Sequence, residues 1–166
     1  KALVTGKVER LVLTRPAVSV DEQHGYLPGN LNKKMEPWTR PMFDALHRYF
    51  PVKKVNDMLY DQQIEICPLA YMRGRTFDNA WIIGDEMQNS TPSQMKMLLT
   101  RIGEESKMVV TGDPRQYDRG FDQNGLIDLL EKLPAATDNI QHVNFTDYDV
   151  VRSEVVKDVL RLYDFQ

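Results

Sequence analysis

Residues 80–88 read Ala80-Trp81-Ile82-Ile83-Gly84-Asp85-Glu86-Met87-Gln88. A short apolar run stops abruptly at two adjacent carboxylates. Trp81, Ile82 and Ile83 suit a strand buried on both faces, as in the parallel sheet of an α/β protein. Asp85 and Glu86 then fall at the strand's carboxyl end, where open α/β sheets bind ligands. Acidic residues in that place can hold Mg²⁺ directly or through water, and can orient a water for attack on a phosphate. Taken alone, the same residues also describe a strand followed by an ordinary acidic turn. The flanking sequence decides between the two.

Upstream, residues 8–14 form a good buried strand that runs into Thr14-Arg15-Pro16. Proline halts pairing, so Arg15 is left at that strand's carboxyl end. A polar, glycine- and proline-marked loop follows over 21–29. Residues 38–50 carry Met42, Phe43, Leu46, Tyr49 and Phe50 at helical spacing, which predicts a helix with these side chains in the core. A second short helix is predicted over 52–60, with Val55 and Leu59 facing in, and a short strand over 63–67. Arg73-Gly74-Arg75 lies just upstream of the carboxylate strand, and arginines there can grip phosphate oxygens in two-pronged fashion.

Downstream, Thr91-Pro92-Ser93-Gln94 has the signature of a helix start with a capping box. Met95, Leu98, Leu99 and Ile102 follow the i, i+3, i+4, i+7 rule, and Gly103 is the predicted stop. Another strand is predicted over 107–111, ending in Thr111-Gly112-Asp113-Pro114-Arg115-Gln116. A helix over 126–133, a last strand over 140–145, a loop carrying Arg152 and a final helix capped by Ser153 complete the chain. The final helix is predicted to bury Val156, Val159, Leu160 and Tyr163. Strands alternating with helices imply parallel pairing. Arg15, Asp85 with Glu86, Asp113 with Gln116, and Arg152 would then share one edge. Such polar convergence is what a binding site looks like, and it favours function over an acidic turn.

Size and composition fit this picture. The chain has 166 residues, 42% hydrophobic and 27% charged, which suits one soluble α/β domain over 1–166. No apolar run approaches a membrane span, and no signal peptide pattern is present. Cys67 is the only cysteine, which excludes an internal disulfide and a thiol-rich metal site and points to a reducing, cytoplasmic setting. The net charge of −3 provides no overall pull on nucleic acid, so any such site must be a local patch.

The motifs together resemble the PhoH family of RecA-like P-loop ATPases, allied to superfamily 1 helicases. The matching stretches are Leu13-Thr14-Arg15-Pro16-Ala17-Val18, Gly25-Tyr26-Leu27-Pro28-Gly29, residues 68–76, Asp85-Glu86-Met87-Gln88-Asn89, Gln94-Met95-Lys96, Thr100-Arg101, Thr111-Gly112-Asp113 with Gln116, and Asp149-Val150-Val151-Arg152. They span nearly the whole chain. The resemblance implies that Asp85 holds Mg²⁺ through water and that Glu86 orients the attacking water. It implies nucleotide contact by Gln88 and Asp113, a γ-phosphate-sensing role for Gln116, and a phosphate-sensing or finger-like role for Arg152. Arg15, Arg73 and Arg75 are candidates for nucleic-acid contact or for an inter-subunit arginine. ATP and Mg²⁺ are the implied cofactors. Single-stranded RNA and further copies of the chain, in a ring such as a hexamer, are the implied partners.

One element of the family pattern is missing. No stretch reads G-x-x-x-x-G-K-[ST], the loop whose amides and lysine cradle phosphates. Gly6-Lys7 has no partner glycine and is followed by Val8. Lys1 to Gly6 reads instead as the last turn of a helix stopped by Gly6. The expectation is an upstream P-loop and its central strand in the intact protein, with the fragment poorly stable in isolation. Three functions accommodate these residues. One is a Mg²⁺-dependent ATPase working on RNA by binding or unwinding it. The second is a degenerate module that binds nucleic acid or a partner without turnover. The third is a metal-dependent nuclease using Asp85, Glu86 and Asp113.

Overall fold

The structure, a computed structural model, describes residues 2–16, 31–117, 123–133, 138–146, 149, 151 and 153–164, with the backbone alone for 31–38, 157, 160, 163 and 164. It comprises two compact units, Lys1–Lys132 and Leu133–Gln166.

The first unit is built on four parallel strands. These are β1 (Arg10–Thr14), β2 (Ile64–Ile66), β3 (Ala80–Gly84) and β4 (Lys107–Val110), in the order β2-β1-β3-β4. The apolar run quoted at the outset is therefore an interior strand. Ile83 of β3 lies level with Leu13 of β1 on one side and Val109 of β4 on the other. Side chains alternate across a strand, so the sheet has two apolar faces. Val12 and Ile82 point into one core; Leu13 and Ile64 belong to the other.

Helices cover both faces. On one side α1 (Leu31–His47) and α2 (Val52–Tyr60) bring Met42, Leu46, Val55 and Met58 against Leu13 and Ile64. On the other, α3 (Pro92–Leu99), α4 (Gly125–Lys132) and a 3-10 turn at Leu69–Met72 bring Met95, Leu98, Leu126 and Met72 against Val12 and Ile82. This all-parallel sheet with helices on both faces is the RecA-like α/β architecture.

Local signals in the sequence work as their chemistry predicts. At the start of α3 the Thr91 hydroxyl accepts from the Gln94 amide at 3.2 Å, and the Gln94 side chain accepts from the Thr91 amide at 2.9 Å. At the other end of the unit, Lys7 N–H donates to Ala2 at 2.9 Å and Gly6 N–H to Leu3 at 3.1 Å. Gly6 has φ +69°, so residues 2–7 adopt the Schellman geometry that closes a helical turn.

Several expectations need correction. No strand forms over 140–145. A strand needs a neighbouring strand to receive its hydrogen bonds, and described residues 138–146 join no strand ladder; Phe145 is 78% exposed. In the second unit, α5 (Glu154–Asp164) forms, but Val156 and Val159 are exposed rather than core. The side chains of Leu160 and Tyr163 lie outside the described residues. Helix α3 stops at Leu99, because the Thr100 hydroxyl donates back to the carbonyls of Lys96 and Met97; Ile102 is consequently exposed. Tyr49 is 81% exposed. Helix α1 begins at Leu31, well before the predicted start at 38, with Pro37 and Pro41 inside it. Proline reads as a breaker in sequence, which hid its first two turns.

Candidate functional site

Three adjacent strands deliver the site. Beyond their last residues the backbone ladder continues for one step. Asp85 N–H donates to Thr14 at 2.9 Å, Thr111 N–H to Gly84 at 2.8 Å, and Met87 N–H to Thr111 at 2.9 Å. These bonds fix Arg15, Asp85, Glu86 and Thr111 at the carboxyl edge of β1, β3 and β4, as the parallel reading required.

Every oxygen of the carboxylate pair faces a partner, two of them the same arginine. Asp85 Oδ1 accepts from the Thr111 hydroxyl at 2.8 Å, and Asp85 Oδ2 lies 4.0 Å from Arg15 Nε. Glu86 Oε1 lies 3.3 Å from Arg15 Nη2, and Glu86 Oε2 accepts from Gln88 Nε2 at 2.6 Å. Glu86 also holds an unusual backbone, φ 54° and ψ 37°, in the left-handed region. For a residue with a Cβ this costs on the order of 1 kcal/mol. Its neighbours over-determine it: Met87, Gln88 and Asn89 form a buried 3-10 turn directly behind it. Strain of this kind clusters at working sites.

Gln88 is almost wholly buried, and glycine makes its seat possible. A Cβ at Gly112 would fall 2.6 Å from Gln88 Oε1. That Oε1 atom and the Thr14 hydroxyl are buried polar atoms without a hydrogen-bond partner. The paired Asp85 and Glu86 carboxylates are oxygen donors of the kind that suit a hard cation. No group of three or more His, Cys, Asp or Glu side chains assembles among the described residues. Mg²⁺ fits this economy, since it keeps several waters and takes one or two carboxylates. The nuclease reading needed Asp113 in the same cluster, and Asp113 is not there. It turns into its own loop, accepting from Arg115 N–H at 2.9 Å and from the Gln116 side chain at 3.0 Å. The Arg115 amide, with help from Gln116, holds the Asp113 carboxyl below the usual carboxylate range. Gln116 is exposed in this loop. Arg152 lies outside the described residues.

The three remaining arginines divide. Arg15 is in the site. Arg73 is exposed at the end of the Leu69–Met72 turn. Arg75 is engaged elsewhere: its fork grips both oxygens of Glu65, with the second bond at 2.9 Å, and its guanidinium lies 4.6 Å from the Phe77 ring centre. Glu65 also pairs with Arg10 at 3.7 Å. Arg75 thus ties β2 to the loop that precedes β3. Beside it, burial pushes the Cys67 thiol up, which marks an inert structural cysteine.

Bonding to Arg75 outweighs burial and holds the Glu65 carboxyl below its ordinary 4.5. A carboxylate depressed on folding contributes stability that is fully present above its unfolded value and is lost as pH falls through the folded one. Glu65→Gln is therefore expected to cost about 1 kcal/mol at neutral pH, the discounted value for a part-exposed pair. The gap should close as urea unfolding is repeated below about pH 4. A gap of equal size at both pH values would show that the pair contributes nothing through charge.

Similarity to known proteins agrees with the geometry. The family model described as "PhoH-like protein" matches residues 1–164. The chain belongs to the PhoH family. PhoH proteins are P-loop NTPases. The chain is 42% identical over 164 residues to a PhoH-like protein of Synechocystis sp., covering 99% of this chain and 50% of that protein. It is 42% identical over 165 residues to one of Bacillus subtilis, covering 99% and 52%. It is 41% identical over 167 residues to protein PhoH of Escherichia coli K12, covering 98% and 47%. The chain thus spans about half the length of these PhoH relatives. Among the described residues, no helix is long and apolar enough to cross a membrane.

Of the residues the sequence singled out, the fold brings four together: Arg15, Asp85, Glu86 and Gln88. Asp113 and Gln116 lie in their own turn after β4. The pairing of Thr111 with Asp85 was missed. The signal was a threonine at the end of a strand whose neighbour ends in a carboxylate.

Proposed function

We propose that this chain supplies the metal- and water-handling half of a Mg²⁺-dependent ATPase, which couples hydrolysis to work on RNA in the cytoplasm. The observation that carries the reading is the Asp85–Glu86 pair at the carboxyl end of an interior parallel strand, with Gln88 bonded to Glu86 behind it. Asp85 would hold a bound Mg²⁺, whose charge would offset the negative charge that builds in phosphoryl transfer.

The chain's own residues have distinct tasks. Asp85, oriented by Thr111, holds the metal through water. Glu86 orients the attacking water and takes up its proton. Gln88 fixes the Glu86 carboxylate and senses the nucleotide through it, while Asp113 and Gln116 contact nucleotide from the loop after β4. Arg152 acts on phosphate charge. Exposed Arg73 is the readiest RNA contact, with Arg15 and Arg75 as the other candidates, and the assembly is a homo-oligomeric ring.

The test is ATP turnover by the protein at its native length. Turnover is expected to depend on Mg²⁺, to cease with EDTA, and to respond to single-stranded RNA. Turnover that persists in EDTA would remove the metal from the mechanism.

A further inference from the structure

We infer that Arg15 is a resident counter-ion of the carboxylate pair, a positioning residue that must yield before a divalent cation reaches Asp85. The inference rests on the metal reading above and adds to it a competitor built into the fold.

The geometry points to competition. Of the four carboxylate oxygens, two are held by neutral donors: Asp85 Oδ1 by Thr111 and Glu86 Oε2 by Gln88. The other two, Asp85 Oδ2 and Glu86 Oε1, face one guanidinium at 4.0 and 3.3 Å. Hydroxyl and amide donors can remain when a cation arrives, because they add no charge. Arg15 cannot, since a divalent ion held at the same oxygens, directly or through water, would sit beside a fixed positive charge. The Asp85 contact is longer than a hydrogen bond, so it is a charge contact that can be broken without losing a directed bond. Pro16 is buried directly after Arg15, and Thr14 is fully buried before it. The backbone is thus anchored on both sides while the guanidinium alone moves. Once displaced, Arg15 is a cation freed at the carboxyl edge of the sheet, available to an anionic phosphate. Metal loading and anion capture are thereby coupled through one side chain.

The test is Mn²⁺ affinity, read from the electron paramagnetic resonance of the free ion, with the protein at its native length and no nucleotide present. Arg15→Gln is expected to bind Mn²⁺ about fivefold tighter than the wild type, the factor set by one part-exposed ion pair. Arg15→Lys, which keeps the charge but loses the reach of the fork across both carboxylates, should fall between the two. Asp85→Asn should lose most of the affinity. A purely structural Arg15 would loosen the site when removed. Unchanged or weaker Mn²⁺ binding in both Arg15 variants overturns the counter-ion role while leaving Asp85 as the ligand. Wild-type affinity in Asp85→Asn overturns the metal reading itself, and the inference with it.

Discussion

Replacing Glu86 with glutamine is expected to lower ATP turnover about 10²- to 10⁴-fold, the range for loss of a positioned general base, with ATP affinity nearly unchanged. The substitution is close to ideal for the purpose. Glutamine has the same Cβ, so the backbone strain at φ 54° is neither relieved nor increased. Its amide oxygen can still accept from Gln88, so the buried turn behind it is preserved. The charge and the basic oxygen are what disappear. Single-turnover hydrolysis and nucleotide affinity, measured separately, check it. Equal turnover in variant and wild type would take Glu86 out of the role. A parallel fall in affinity would instead mean that it serves binding.

The largest effect on stability is expected from Gly125→Ala. A Cβ there would come within 2.6 Å of the Thr91 carbonyl oxygen, 2.7 Å of the Ser90 hydroxyl and 2.8 Å of the Ser90 carbonyl oxygen. Two of these are backbone atoms, which cannot rotate away. Gly125 N–H also donates to the Ser90 carbonyl at 2.7 Å, and Asn124 caps the helix by accepting from Leu126 at 2.9 Å and Ile127 at 3.2 Å. The start of α4 is therefore pinned onto the segment linking the Gln88 turn to α3. Forcing it away should cost about 3 kcal/mol, the upper end for overpacking, read as a fall in the urea midpoint. Unchanged stability would mean that α4 can slide without loss. The effect should reach the site too, because Leu126 packs close to Gly112, against which Gln88 rests.

How far the sequence went can be judged residue by residue. The β3 strand and its carboxylates were legible because a buried parallel strand must be apolar throughout and must end where the polarity begins. The capping box at Thr91 and the stop at Gly6 were legible because each depends on residues a few positions apart. What failed depended on partners far away in the chain. Residues 140–145 have strand composition, yet a ladder is a property of two segments. Arg75 looked like a phosphate ligand because nothing local reveals that Glu65 will sit beneath its fork. Glu86 gave no hint of its left-handed backbone, since that conformation is imposed by the turn and by Thr111, not by its own preference. The competition between Arg15 and a cation was invisible for the same reason: 70 positions separate Arg15 from Asp85.

The backbone of Glu86 also sets what random mutation and selection would do at this position. Glycine and asparagine are at ease where glutamate is not, so a library screened for heat resistance alone should drift toward them at 86. A library screened for turnover should hold the carboxylate against that drift. Thermostability and turnover are therefore expected to oppose each other at a single codon, and stabilised variants of this chain are best sought with position 86 kept fixed.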